Sequence, residues 1–147
     1  MKLLRRIVKI KKILSLKSNQ KMEIKEIITI VCGVYSLSFA VFHLLFWKIF
    51  NWKETLKTAN VANRAIIQIA NLRLIYIFMM VAFFYLFYYK ELSSSHWGNI
   101  FFISNAIFWL GRTIEQFIFL KINHSMVHTL TVIFIIGFIL FSLAAYI

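Results

Sequence analysis

Four stretches of this chain are each long and apolar enough to cross a lipid bilayer, and that property limits its fold more than any other. They cover roughly residues 27–46, 66–89, 99–120 and 127–147, against a need for about 20 mainly apolar residues per spanning helix. Hydrophobic residues make up 61% of the chain, where a soluble domain carries about 45–50%. Little is left over for a soluble domain. The expected fold is all-α, an integral membrane four-helix bundle formed by residues 22–147 as a single domain. The expected setting is a bacterial-type plasma membrane, with the lipid bilayer as the first partner.

A formal net charge of +12 would point to nucleic acid in a soluble protein. Here membrane topology and anionic lipid explain it better, so no nucleic-acid partner is expected. Residues 1–21 hold eight of the seventeen Lys and Arg residues and no acid. On a helical wheel Leu3, Ile7, Ile10 and Leu14 form one stripe, with Lys2, Arg5, Lys9 and Lys12 opposite. That pattern suits a basic amphipathic N-terminal helix on a membrane surface, with Arg5, Arg6, Lys9 and Lys12 meeting anionic headgroups. Met22 is an alternative start. Orientation turns on this choice: counted from Met1 the positive-inside balance is ten against six, and from Met22 it reverses to two against six.

The single cysteine, Cys32, excludes an internal disulfide or a CxxC redox pair. No proline is present, so an interrupted helix of the usual kind is not expected. In the first span Gly33, Ser36, Ala40, His43 and Trp47 recur at steps of three and four, placing them on one helical face. Small residues on such a face allow close backbone approach. Trp47 and Trp52 belong at headgroup depth, as do Tyr85, Tyr88 and Tyr89 at the far end of span two. Residues 60–73 read as an amphipathic entrance continuous with span two, with Gln68 and Asn71 deep enough to line a bundle interior.

The third span is the anomaly. It carries Arg112, Glu115 and Gln116, although a charge near the centre of a spanning helix costs about 2.5–3.5 kcal/mol. Two polar stripes are expected there: Ser104, Phe108, Gly111 and Glu115; and Asn105, Trp109, Arg112 and Gln116. Arg112 and Glu115 can pair within the helix, which leaves guanidinium donors to be satisfied elsewhere. Because alternate spans run in opposite directions, His43, Gln68, Asn71, Arg112, Glu115, Gln116 and His128 all fall toward one side of the membrane. Nothing comparable clusters at the other side. The expectation is a one-sided polar pocket of His43, Gln68, Asn71, Asn105, Arg112, Glu115 and Gln116.

Three functions suit such a pocket. The first is binding or transport of a small polar ligand, ion or lipid headgroup, with Glu115 and His43 able to exchange protons. The second is a structural or accessory subunit, a homo-oligomer or a partner in a membrane complex, whose polar residues join helices. The third is a metal-dependent membrane enzyme, with His124 and His128 spaced to share one helical face as metal ligands. The third has the weakest support, since there is no HExxH, Gly-rich phosphate loop or nucleophile elbow. No cofactor is implied. The CxxC of quinone-linked thiol oxidoreductases and the first-span glutamate of small multidrug exporters are both missing.

Overall fold

Backbone N–H and C=O groups find no water in hydrocarbon, so a chain this apolar is driven into helices, which satisfy those groups internally. The computed structural model describes residues 2–147, apart from the side chains of residues 2–5, 7–9, 13, 14, 17, 18 and 21. The chain is 88% helical, with no strand among the described residues. The helices are α1 (Lys2–Leu44), α2 (Phe46–Ile49), α3 (Trp52–Thr55), α4 (Val61–Phe87), α5 (Tyr89–Ser94), α6 (His96–Phe119) and α7 (Ser125–Tyr146). Residues Met22–Leu44 of α1, α4 and α7 are each long and apolar enough to cross a membrane. Three such helices mark a multi-pass membrane protein. The remaining expected span, α6, is a helix of 24 residues whose hydropathy is lowered by Asn99, Asn105, Arg112, Glu115 and Gln116.

The chain divides into two compact units, Met1–Thr29 with Tyr89–Ile147, and Ile30–Tyr88. In the second, the end of α1 runs antiparallel to α4. Phe39 lies 5.6 Å from Phe78, ring to ring, and His43 5.2 Å from the same ring. Gly33 faces the other end of α4, where a Cβ would fall 2.7 Å from Leu86 Cγ and 3.1 Å from Tyr85 Cβ. That close approach buries Tyr85 completely. Tyr85 is therefore a core residue and not part of an interfacial belt. Its neighbour Tyr88 remains exposed.

In the other unit α6 and α7 form an antiparallel hairpin. Trp109 packs on Phe134 at 5.8 Å, and Gln116 Nε2 donates to the Val127 carbonyl at 3.3 Å. Both pairs fit one register, since opposed helices rise equally per residue. The same register sets Ala106 level with Gly137 and Phe102 level with Phe141, all four buried. The buried face of α6 is thus Phe102, Ala106, Trp109, Thr113 and Gln116, at steps of four and three. It shares Trp109 and Gln116 with the second expected stripe and is turned from it toward Phe102, Ala106 and Thr113, away from the first. The bulk of Phe102 and Trp109 fills the interface, leaving Asn105 and Arg112 at its edge and Ser104, Phe108 and Glu115 exposed.

At the start of this hairpin Ser95 caps α6, its hydroxyl accepting from Gly98 N at 3.0 Å. Gly98 sits against the preceding short helix, where a Cβ would lie 1.8 Å from the Leu92 carbonyl oxygen. Only backbone movement can open that gap. At Gly33 the obstructing atoms belong to the side chains of Leu86 and Tyr85. Thermal melting in detergent should therefore rank wild type above Gly33→Ala, at about 1–3 kcal/mol of overpacking, with Gly98→Ala lowest. Unchanged melting of Gly98→Ala would contradict the close approach.

Candidate functional site

The helical period puts Lys25, Thr29, Cys32, Ser36, Ala40 and His43 on one face of α1, and all six are buried. The short hydroxyls on this face bond to their own helix. Thr29 Oγ1 donates to the Lys25 carbonyl at 2.7 Å, and Ser36 Oγ to the Cys32 carbonyl at 2.9 Å. The long polar residues, Lys25 and His43, stand about 27 Å apart along the axis at ~1.5 Å of rise per residue.

His43 and Asn71 are brought together in the Ile30–Tyr88 unit. Asn71 Nδ2 donates to the His43 carbonyl at 3.0 Å, one residue before α1 ends. Carbonyls of a last helical turn have no partner in their own helix, and Asn71, 3% exposed, supplies one from α4. Insertion of a side chain into the carbonyl ladder is a recognised cause of a sharp helix break. It accounts for the interruption at Leu45 without proline. The His43 ring is held by its Nδ1 contact with the Phe39 carbonyl at 2.8 Å. A carbonyl only accepts, so Nδ1 carries the proton. Stacking on Phe46 at 4.4 Å completes the packing of the ring. Asn71 Oδ1 is buried and has no donor among the described residues. Gln68 is not part of this group; its Nε2 donates to the Arg64 carbonyl at 3.1 Å.

The other expected pocket residues belong to the α6–α7 unit. Arg112 and Glu115 form an ion pair across one helical turn, with their side chains 39% and 48% exposed. The guanidinium also lies over the Phe134 ring, 5.3 Å from its centre. Gln116 is consumed in its bond to Val127, and Asn105 Nδ2 donates to the Phe101 carbonyl at 2.9 Å. His43 and Asn71 thus belong to the Ile30–Tyr88 unit, and Asn105, Arg112, Glu115 and Gln116 to the other.

Sequence reasoning missed Lys25, which it counted only as a flanking charge. Lys25 is 7% exposed, and its Nζ donates to Asn99 Oδ1 at 2.7 Å and lies 5.9 Å from the Phe102 ring centre. Buried polar side chains thus stand near both ends of the apolar Met22–Leu44 stretch of α1 and not at one alone. The signal was present, because the buried stripe extended backwards from His43 passes through Lys25.

His124 lies outside α7 as its N-cap, with Nδ1 accepting from Met126 N at 3.2 Å. His128 Nε2 bonds Asn123 Oδ1 at 2.8 Å. Both rings hold the start of the helix, and the two do not share a helical face. Among the described residues no group of three or more His, Cys, Asp or Glu side chains is placed to hold a metal. Of the expected surface contacts, Arg6 and Lys12 are exposed, while the side chains of Arg5 and Lys9 lie outside the described residues. No family model, curated protein or solved structure matches this chain.

Gln68 and Asn71, two of the amide side chains of α4, separate cleanly by experiment. Asn71→Ala strands the His43 carbonyl in an apolar setting and should cost about 1–3 kcal/mol. Gln68→Ala removes only a bond to its own helix and should change stability by less than ~0.5 kcal/mol. Equal loss in both variants, measured by chemical denaturation in micelles, would remove the capping role from Asn71.

Proposed function

We propose that this protein is a four-span structural or accessory subunit of a membrane complex, with α6 as its assembly face. A fourth span is supported by the register of the hairpin: α7 is a spanning candidate in its own right, and α6 runs antiparallel along it. At ~1.5 Å per residue α6 is about 36 Å long, enough for a hydrocarbon core of about 30 Å.

The observation that carries the assembly role is the half-exposed Arg112–Glu115 pair. Apolar Ile107, Ile114 and Ile118 are exposed on the same helix, so this surface is built for lipid except at the pair. Mutual attraction offsets only part of the insertion cost of two charges. Another membrane segment offering a polar or charged group at this depth, from a second copy or a partner protein, supplies the rest. Gly111, beside Arg112, has no atom within 4 Å of its Cβ position. That opening admits a neighbouring backbone. The other intramembrane polar residues act as links within each unit, as Asn71 and Gln116 do.

The test is native mass spectrometry of the wild type and an Arg112→Leu, Glu115→Leu double variant. The double variant should stay folded and lose the assembled mass. Arg112→Leu alone leaves Glu115 unpaired and should accumulate severalfold less than the double variant. A monomeric wild type with no associated protein overturns the assembly reading.

A second reading, a site for a small polar ligand, is supported by Asn71 Oδ1. A buried amide oxygen without a donor suits a ligand carrying N–H or O–H. In the same spectra such a ligand appears as a mass retained by the wild type and lost in Asn71→Leu. Identical spectra for the two proteins leave Asn71 a cap alone.

A further inference from the structure

The segment joining α1 to α4 borders a half-open cavity of about 330 Å³, lined by Trp47, Trp52, Lys53, Leu56, Lys57, Arg64 and Gln68. We propose that this cavity is a binding site for the phosphate group of an anionic membrane lipid. The site lies wholly within the Ile30–Tyr88 unit, and it requires only that α1 and α4 span the membrane, independently of any assembly through α6.

Its construction begins with Asn51, which turns the chain in the left-handed conformation at φ 44°, ψ 48°. Asparagine adopts that region more readily than other residues with a side chain. The turn brings the Trp47 and Trp52 rings to 5.2 Å, edge to face. Amphipathic indoles of this kind sit at the boundary between acyl chains and headgroups. Opposite them, Arg64 and Gln68 lie one turn apart on α4. The 27 residues of α4 extend over about 40 Å at ~1.5 Å each, longer than the ~30 Å hydrocarbon core. Its first turns therefore reach the headgroup layer.

Charge then selects the ligand. Lys57 is paired with Glu54 at 2.8 Å. Lys53 and Arg64 have no acidic partner among the described residues, so the four side chains leave two net positive charges at the cavity. The first turn of α4 holds no acid, and its positive helix end adds to the same field. Arg64 offers a planar fork suited to two phosphate oxygens, Lys53 a point charge, and the indoles an apolar wall for the glycerol and first acyl carbons.

Full-length protein in neutral detergent is titrated with phosphatidylglycerol or phosphatidylcholine and bound lipid is read by native mass spectrometry. Wild type should retain phosphatidylglycerol in preference to phosphatidylcholine, and Lys53→Gln, Arg64→Gln should lower that retention by about tenfold or more. A Lys48→Gln, Lys121→Gln variant removes equal charge outside the cavity and should retain it as wild type does. Equal losses in the two double variants would mean diffuse electrostatic attraction and overturn the site. Millimolar inorganic phosphate should not displace the lipid. Lipid retention that ignores headgroup charge, with stabilisation by phosphate alone, overturns the lipid assignment in favour of a free anion. Melting temperatures of both double variants, expected at the wild-type value, separate lost binding from lost folding.

Discussion

A carbonyl at the end of a helix in an apolar medium has no water to turn to, and the bond from Asn71 to His43 answers that constraint. Most polar contacts in this protein follow the same necessity. Thr29, Ser36, Asn105 and Thr113 bond to carbonyls one turn back in their own helices, which neutralises them without joining anything. Asn71 and Gln116 instead reach a carbonyl on another helix. Each such bond is worth only about 0.6–2 kcal/mol in a membrane, but it fixes axial register. Apolar ridges sliding against one another do that less well. Two amides at one end of their helix pairs thus specify alignment, while the aromatic contacts of Phe39 with Phe78 and Trp109 with Phe134 supply most of the buried surface.

The placement of three of the four expected spans was legible, as Met22–Leu44, Val61–Phe87 and Ser125–Tyr146, because length and hydropathy are one-dimensional properties. The entrance to α4 is continuous with its span as periodicity implied, and Asn60 caps it by accepting from Asn63 N at 2.7 Å. What was not legible is which face each helix buries. In water the apolar face goes inward, so a moment identifies it; a helix in lipid is apolar all round. On α6 the sequence therefore suggested polar stripes through Glu115 and Arg112. The buried stripe keeps Trp109 and Gln116 from the second of these but is completed by Phe102, Ala106 and Thr113, leaving Asn105 and Arg112 at its edge. Tyr85 was placed at an interface by its residue type, whereas the missing side chain at Gly33 draws it into the core.

Local chemistry also overrode spacing at the histidines. His124 and His128 are four apart, but His124 precedes the first turn of α7, where its ring nitrogen caps a backbone N–H. Spacing within a helix matters only if the helix includes both residues. His43 was better placed by the same logic, because it lies inside α1 and its stripe is continuous. Extending that stripe toward the amino terminus would have found Lys25, whose charge obscured its position on the buried face.

The cations consequently fall into different physical situations, which a net charge of +12 conceals. Lys25 is withdrawn from solvent and bound to an amide oxygen, so it contributes little to an external field. Arg112 is neutralised within one turn and draped over Phe134, leaving a dipole instead of a monopole. Lys53 and Arg64 are exposed, unpaired and close to a positive helix end, in the layer where indole rings sit. A diffuse basic surface would attract any anion nearby, with strength set by charge density alone. A cavity that combines two uncompensated cations with an apolar wall discriminates further, because only an amphipathic anion satisfies both surfaces at once. That combination, rather than the total charge, is the argument for a lipid at the junction of α1 and α4.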